Sequence, residues 1–210
     1  MINIDKETYK VTNDNFYKTA KYKKNQIILA GSLRKKNFHI KRFSKKDGGK
    51  SKKWPTYSIS REGNIFQHYD PKYYSDFMEN KDIDRHSISI VLENMGVLYY
   101  DYTSKKYLNW ILEECEENNI EKNIFEKNWK GCRYWENYTA KQFDATINLC
   151  KFLCKKFEIP LKSLGFNVFF NESSKFNGIV TRSNFDISCN DLNPSFNFRL
   201  FSNLLTIKDD

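Results

Sequence analysis

The chain has 210 residues, of which 40% are hydrophobic and 16% aromatic, including 17 Phe and 13 Tyr. That is one domain's length with enough large apolar groups for a real core, which excludes a disordered chain. The formal net charge of +9 favours polyanions, but the lysines are spread along most of the chain, so nucleic acid is expected only through nonspecific attraction. Residues 1–24 are polar, rich in Lys, Asn and Tyr, and without a clear period; they read as an N-terminal extension that packs on the domain or contacts a partner. Asn25-Gln-Ile-Ile-Leu-Ala-Gly-Ser32 predicts a short buried strand. Asn37 to Gly48 predicts a helix, capped by Asn37 and stopped by Gly48, and a basic loop then leads to Trp54 and Pro55.

Tyr57, Ile59 and Ile65 flank Arg61-Glu-Gly63, where Gly63 supplies the positive φ of a tight hairpin. After an aromatic loop, Asp70 to Phe77, the run Ser87-Ile-Ser-Ile-Val-Leu-Glu-Asn94 turns from alternation into a continuous apolar segment. A strand covered on both faces has that form. From Tyr99 to Tyr138 the pattern is weak, with Tyr107 to Cys115 read as helical and large aromatics at Trp129, Tyr134 and Trp135.

Thr139 to Phe157 is the clearest helix. Thr139 and Gln142 have capping-box spacing; Phe143, Ile147, Cys150, Cys154 and Phe157 share one face, and Ile159-Pro160 ends it. Gly178 to Val180 predicts a last strand. The order predicts an α/β (α+β) domain, a mixed central sheet flanked by helices, over residues 25–210 with an insertion around 99–138. Five cysteines without a C-x-x-C pair exclude a zinc ribbon, and Cys150 with Cys154 reads as a pair of buried thiols. The start of the chain has no apolar signal region and no run of eighteen apolar residues occurs. Cytoplasmic synthesis without a signal peptide, and no membrane span, are therefore expected.

Four of these segments, in this order, resemble one family. Thr56-Tyr-Ser-Ile-Ser-Arg-Glu-Gly-Asn-Ile-Phe-Gln67 is similar to the His-Tyr-x-Ile-x-Arg-Asp-Gly-x-Ile-x-Gln hairpin of the type 2 N-acetylmuramoyl-L-alanine amidases. These share a fold with the peptidoglycan recognition proteins and T7-type lysozymes. Ser87 to Asn94 resembles their Ser-Ile-Gly-Ile-Glu-Leu-x-Asn strand, and the helix at Thr139 their Thr-x-x-Gln helix. Gly178-Ile-Val-Thr-Arg-Ser-Asn184 and Asp191-Leu-Asn-Pro-Ser-Phe196 resemble their Gly-His-Ser-Asp and Asp-Pro-Gly-Pro-x-Phe segments.

The resemblance implies an amidase/peptidoglycan-recognition-protein-like fold and a zinc held by two His and a Cys or Asp, with an open position for water. The implied ligand positions fall on Ala30, Arg182 and Asp191, of which only Asp191 is a ligand type. The family's sheet glutamate falls on Val91, and its hairpin His on Thr56. An Arg at a ligand position repels a metal. His39, His68 and His86 match no ligand spacing and read as surface or capping residues. A Cys189–Asp191 pair with a migrated His is the alternative metal site.

The reading that results is a catalytically degenerate amidase-like domain without a cofactor, acting in binding or assembly. Its partners would be peptidoglycan or other proteins of a phage or viral virion. Tyr57, Trp54, Arg182 and Asp191 are the expected groove contacts, and Arg182 with Asp191 an ion pair in place of the metal. The alternative is an active zinc-dependent amidase that hydrolyses peptidoglycan.

Overall fold

A computed structural model describes residues 2–12, 16–34, 53–122, 129–165, 168–189 and 192–206. The helix expected over 37–48, most of the basic loop after it, His39 and Asp191 lie outside the described residues. Strands β1 (Gln26–Gly31), β2 (Tyr57–Ile59), β3 (Ile65–Gln67), β4 (Ser87–Leu92) and β10 (Gly178–Thr181) form one sheet in the order β10-β1-β4-β2-β3. All neighbours are parallel except the β2–β3 hairpin. β1 and β4 are buried along their whole length, as a central parallel pair covered on both faces must be.

Side-chain alternation gives this sheet two different faces. Ile27, Leu29, Tyr57, Ile59, Ile88, Ile90, Leu92 and Ile179 point to one face. There they pack on α2 (Ala140–Phe157) and α3 (Phe198–Thr206) through residues such as Leu149, Cys150, Leu153, Phe201 and Leu205. The intervening residues, Ile28, Ala30, Ser58, Ser89, Val91 and Val180, belong to the opposite face. There Ile28 and Val180 join Ile83 of α1 (Lys81–His86), with Phe77, Met78 and Phe185 packed against them.

α2 starts at Thr139, whose hydroxyl accepts from Gln142 N at 3.1 Å, and ends with Glu158 in the left-handed region at φ 55°. Gln142 does not reach back to complete the capping box. Its Nε2 turns inward and donates to the carbonyls of Glu93 (2.7 Å) and Ile59 (3.3 Å). The capping-box spacing thus marks a residue that binds the helix start to the ends of β2 and β4.

The weakly patterned stretch forms a second, antiparallel sheet in the order β7-β6-β5-β9-β8, from β5 (Val97–Asp101), β6 (Lys106–Leu108), β7 (Glu114–Cys115), β8 (Ile120–Lys122) and β9 (Tyr134–Glu136). The helix expected over Tyr107–Cys115 is therefore two strands and a turn. Asn109 makes the turn: its Oδ1 accepts from the N–H of Ile111 (3.1 Å) and Glu113 (2.9 Å), satisfying donors that a helix would otherwise pair.

The N-terminal segment lies along the open edge of β3. Asp5 N donates to Ile65 O and Gln67 N to Asp5 O, which pairs backbone groups that an edge strand leaves exposed. Further on, Tyr17 stacks on Tyr69 and Tyr73, and Lys18 pairs with Asp76 at 2.7 Å. Among the described residues no helix is long and apolar enough to cross a membrane.

Candidate functional site

The candidate site lies on the sheet face turned away from α2 and α3. Backbone register sets Ala30 of β1 opposite Val91 of β4, and Val91 in turn opposite Ser58 of β2. All three are buried. Beyond the end of β10, Arg182 opens a short 3₁₀ turn, Arg182–Asn184, and lines a cleft of about 600 Å³. Phe77, Met78 and Ile83 form one wall of the cleft, Phe169 and Phe170 another, and Phe185, Asp186 and Cys189 a third.

Charge in the cleft is held locally. The Arg182 guanidinium lies over the Phe77 ring at 5.6 Å and donates from Nη2 to Gly31 O at 3.5 Å, one residue past Ala30. Lys53, at the mouth, pairs with Glu79 at 2.6 Å. The Asp186 carboxylate accepts from the Ser188 hydroxyl and N–H, which hold it below the usual carboxylate range.

The Phe77–Asn80 wall is fixed from within by Asp84, whose carboxylate accepts from Met78 N (2.8 Å) and Asn80 N (3.2 Å). Burial pushes Asp84 up to about 6 despite those bonds. Lys24, buried nearby, donates to Tyr73 O and Arg85 O, and burial lowers it to about 8.

The second sheet reaches both sides of the candidate site. Trp110 Nε1 donates to Leu33 O at 2.9 Å, and Arg34 lies over the Trp110 ring at 4.8 Å, so the segment after Ala30 rests on this sheet. On the far side Lys130 Nζ donates to Ile187 O at 2.8 Å and to Cys189 O at 2.5 Å.

This architecture matches solved proteins. An N-acetylmuramoyl-L-alanine amidase family model matches residues 19–175, three quarters of the chain. The chain belongs to the N-acetylmuramoyl-L-alanine amidase family. The amidase LysC from Clostridium intestinale URNW superposes with a TM-score of 0.54 at 12% identity, over 99% of this chain and 100% of that one. The endolysin amidase LysCS from the same organism gives 0.55 at 13%, over 99% and 98%. A mutant endolysin from Bacillus subtilis gives 0.55 at 13%, over 98% and 99%. At these identities the superpositions establish the amidase fold. No curated protein sequence matches the chain.

The amidase family implies zinc, so the donor set matters. At the positions the family resemblance assigns to ligands, Ala30 offers a methyl group and Arg182 a fixed cation. His68 is not the surface or capping residue its position suggested: it is fully buried, with Nδ1 3.0 Å from Tyr9 O and Nε2 2.9 Å from Ser58 Oγ. Tyr9 O can only accept, so Nδ1 carries the proton and Nε2 accepts from Ser58. Burial lowers this histidine to about 4, so the ring is neutral and both nitrogens are used.

His86, the last residue of α1, contacts Lys23 O through Nδ1 at 2.8 Å and packs edge-on to Tyr22. Among the described residues no group of three or more His, Cys, Asp or Glu could hold a metal ion. The described residues therefore do not fit a family zinc site.

Of the residues expected at a groove, Arg182 lines the cleft, as does Cys189 of the alternative metal pair. Trp54 and Tyr57 are buried instead. Trp54 packs with Val11 and Tyr69, and Tyr57 belongs to the helix-side core, with its hydroxyl donating to Gln67 at 3.1 Å. Tyr57 falls on the helix side because its strand neighbour Ser58 occupies the site face, a parity that the motif alone does not reveal. The walls from Phe77 and from Phe169–Phe170 lay in segments without a recognisable motif. Phe77 is half-buried at the end of the aromatic loop over 70–77, and Phe169 and Phe170 are exposed; clustered aromatics are the signal that could have pointed to them.

Proposed function

We propose that this amidase-family domain works by binding rather than by hydrolysis, with peptidoglycan as the ligand. The observation that carries the reading is the Ala30–Val91 register pair: two buried apolar side chains where the resemblance puts a metal ligand and the sheet glutamate. The fixed cation at Arg182 supports it further. A hydrolytic site of this family needs donors for a Lewis acid and a group to handle the proton of water, and these positions supply neither. The amphipathic cleft, of a size usual for ligand sites, supplies the binding surface instead.

Assembly with other proteins, as in a phage or viral particle, is the second reading. The second sheet and its loops favour it, because Tyr99, Tyr102, Trp110 and Leu112 are exposed there.

Elemental analysis combined with a muropeptide assay tests the central claim. The expected result is sub-stoichiometric zinc, no release of L-alanine-linked peptide, and retention on insoluble peptidoglycan that survives high salt. Stoichiometric zinc with peptide release would establish an active amidase. Loss of retention in salt would reduce binding to the +9 charge. A fixed copy number in purified particles would favour assembly.

A further inference from the structure

We propose that the cleft takes an uncharged sugar of the glycan strand rather than the peptide attached to it. This rests on the peptidoglycan-binding reading above and names the part of the ligand that is recognised. The charges of the lining cancel: Lys53 and Arg182 stand against Glu79 and Asp186, on a chain whose net charge is +9. Each is also engaged where it stands. Lys53 pairs with Glu79, Asp186 accepts from Ser188, and Arg182 lies over the Phe77 ring and bonds Gly31 O. A ligand carboxylate or ammonium entering here has to compete with one of these contacts, and the balanced lining offers it no net attraction.

The uncharged groups of the lining are of two kinds. Phe77, Phe169, Phe170 and Phe185 supply aromatic surface, and Asn80, Asn171 and Ser174 supply amide and hydroxyl groups. Among the described residues the side chains of Asn171 and Ser174 bond no other protein group, and both residues are exposed. Asn80 uses its Oδ1 on the N–H groups of Asp82 (3.1 Å) and Ile83 (3.3 Å), which fixes the amide and leaves Nδ2 to donate elsewhere. A pyranose ring matches this combination. Its C–H faces are apolar and weakly positive, so they pack on the negative faces of aromatic rings, while its hydroxyls donate and accept around the rim. The Asn171 amide and the Ser174 hydroxyl each do both as well, so either partner of a sugar hydroxyl is at hand. The cleft volume of about 600 Å³ is that of a site for a small ligand.

The test is calorimetric titration of the full chain with the neutral tetramer of N-acetylglucosamine. A soluble peptide that begins with L-alanine and carries free carboxylates is titrated in parallel. The sugar should bind at least about tenfold more tightly than the peptide. Because no charge is neutralised, its affinity should be the same at low and high salt. Phe170→Ala and Asn171→Ala, both at exposed positions, should each weaken it by about three- to tenfold, and Arg199→Ala, on α3, should leave it unchanged.

Peptide affinity equal to or above the sugar's overturns the proposal without any variant having to fold. So does sugar affinity that falls with salt, that is unchanged in Phe170→Ala or in Asn171→Ala, or that drops as far in Arg199→Ala. Wild-type chain that is retained on insoluble peptidoglycan but fails these comparisons leaves the binding reading standing and removes only the sugar assignment. Wild-type chain that is not retained removes both.

Discussion

Gln142, in the first turn of α2, donates to the carbonyl of Glu93, just past the end of β4, at 2.7 Å, with both residues buried. This bond ties the longest helix to the end of the central strand. Gln142→Leu keeps the bulk and removes the donor, leaving a buried carbonyl short of a partner. The expected cost is about 1–3 kcal/mol. Urea unfolding should show a lower midpoint with an unchanged slope; a midpoint equal to the wild type's would mean that water replaces the amide.

The Gln142 contact also marks where sequence reading reaches its limit. Period and capping chemistry place α2, and continuous apolar character places β4, because both depend on local pattern and burial. Which partner Gln142 chooses depends on β2 and β4 ending beneath the helix, a tertiary fact. The second sheet was illegible for a related reason: Tyr107 to Cys115 carries no clean period, and Asn109 decides between helix and turn by bonding its own backbone.

α3 could have been read. Phe198, Phe201 and Leu205 repeat at helical spacing and are buried on one side. At the site, motif order locates Ala30, Val91 and Arg182, but not the walls around them. His68 reads as a surface or capping residue because nothing in its sequence neighbourhood announces that Tyr9 O pairs with its ring.

Gly63 closes the β2–β3 hairpin at φ 83°, and a Cβ placed there would lie 2.8 Å from Lys141 O in the first turn of α2. Gly63→Ala therefore combines a left-handed backbone cost with a clash against main chain that cannot swing away. A loss of about 2 kcal/mol or more is expected, visible as a lowered thermal midpoint. An unshifted midpoint would mean that the hairpin and α2 separate freely.

Glu136 gives a pH prediction with a definite sign. It is buried beside Arg61 (3.3 Å) and accepts from Met95 N (2.6 Å), yet burial pushes its carboxyl up to about 7 from an ordinary 4.5. Between those values the folded chain holds a proton that the unfolded chain has released. Its contribution to stability is thus greatest below about 4.5 and declines as pH rises through 7. Glu136→Gln cannot titrate, so the wild type should lose on the order of 2–3 kcal/mol relative to the variant over that window. Comparing the two proteins cancels the opposite trend from His68, whose lowered value makes stability rise with pH between about 4 and 6.5. Parallel stability curves from pH 4 to 8 would show that Glu136 is ionised throughout in the folded state.

Lys130 links the second sheet to the wall of the cleft, and this link can be cut without touching the cleft itself. Its ammonium bonds the carbonyls of Ile187 and Cys189, and the turn it stands on, with Lys130 at φ 49° and Gly131 at φ 77°, aims it across the gap. Lys130→Met keeps the apolar stem and removes both bonds. The turn over 186–189 then keeps the Ser188 and Cys189 amides bonding back to Asp186 and the Asp186 amide bonding Arg182 O, and loses the two bonds that tie it to the second sheet's loop. Local opening should become easier by about 1–2 kcal/mol, which is roughly tenfold or more in amide exchange. Hydrogen–deuterium exchange by mass spectrometry should show that rise for peptides over 186–189, while peptides from β1 and β4 keep their protection. Exchange rising equally everywhere would mean that Lys130 supports the whole fold, and no rise at 186–189 would mean that the second sheet does not hold the cleft wall.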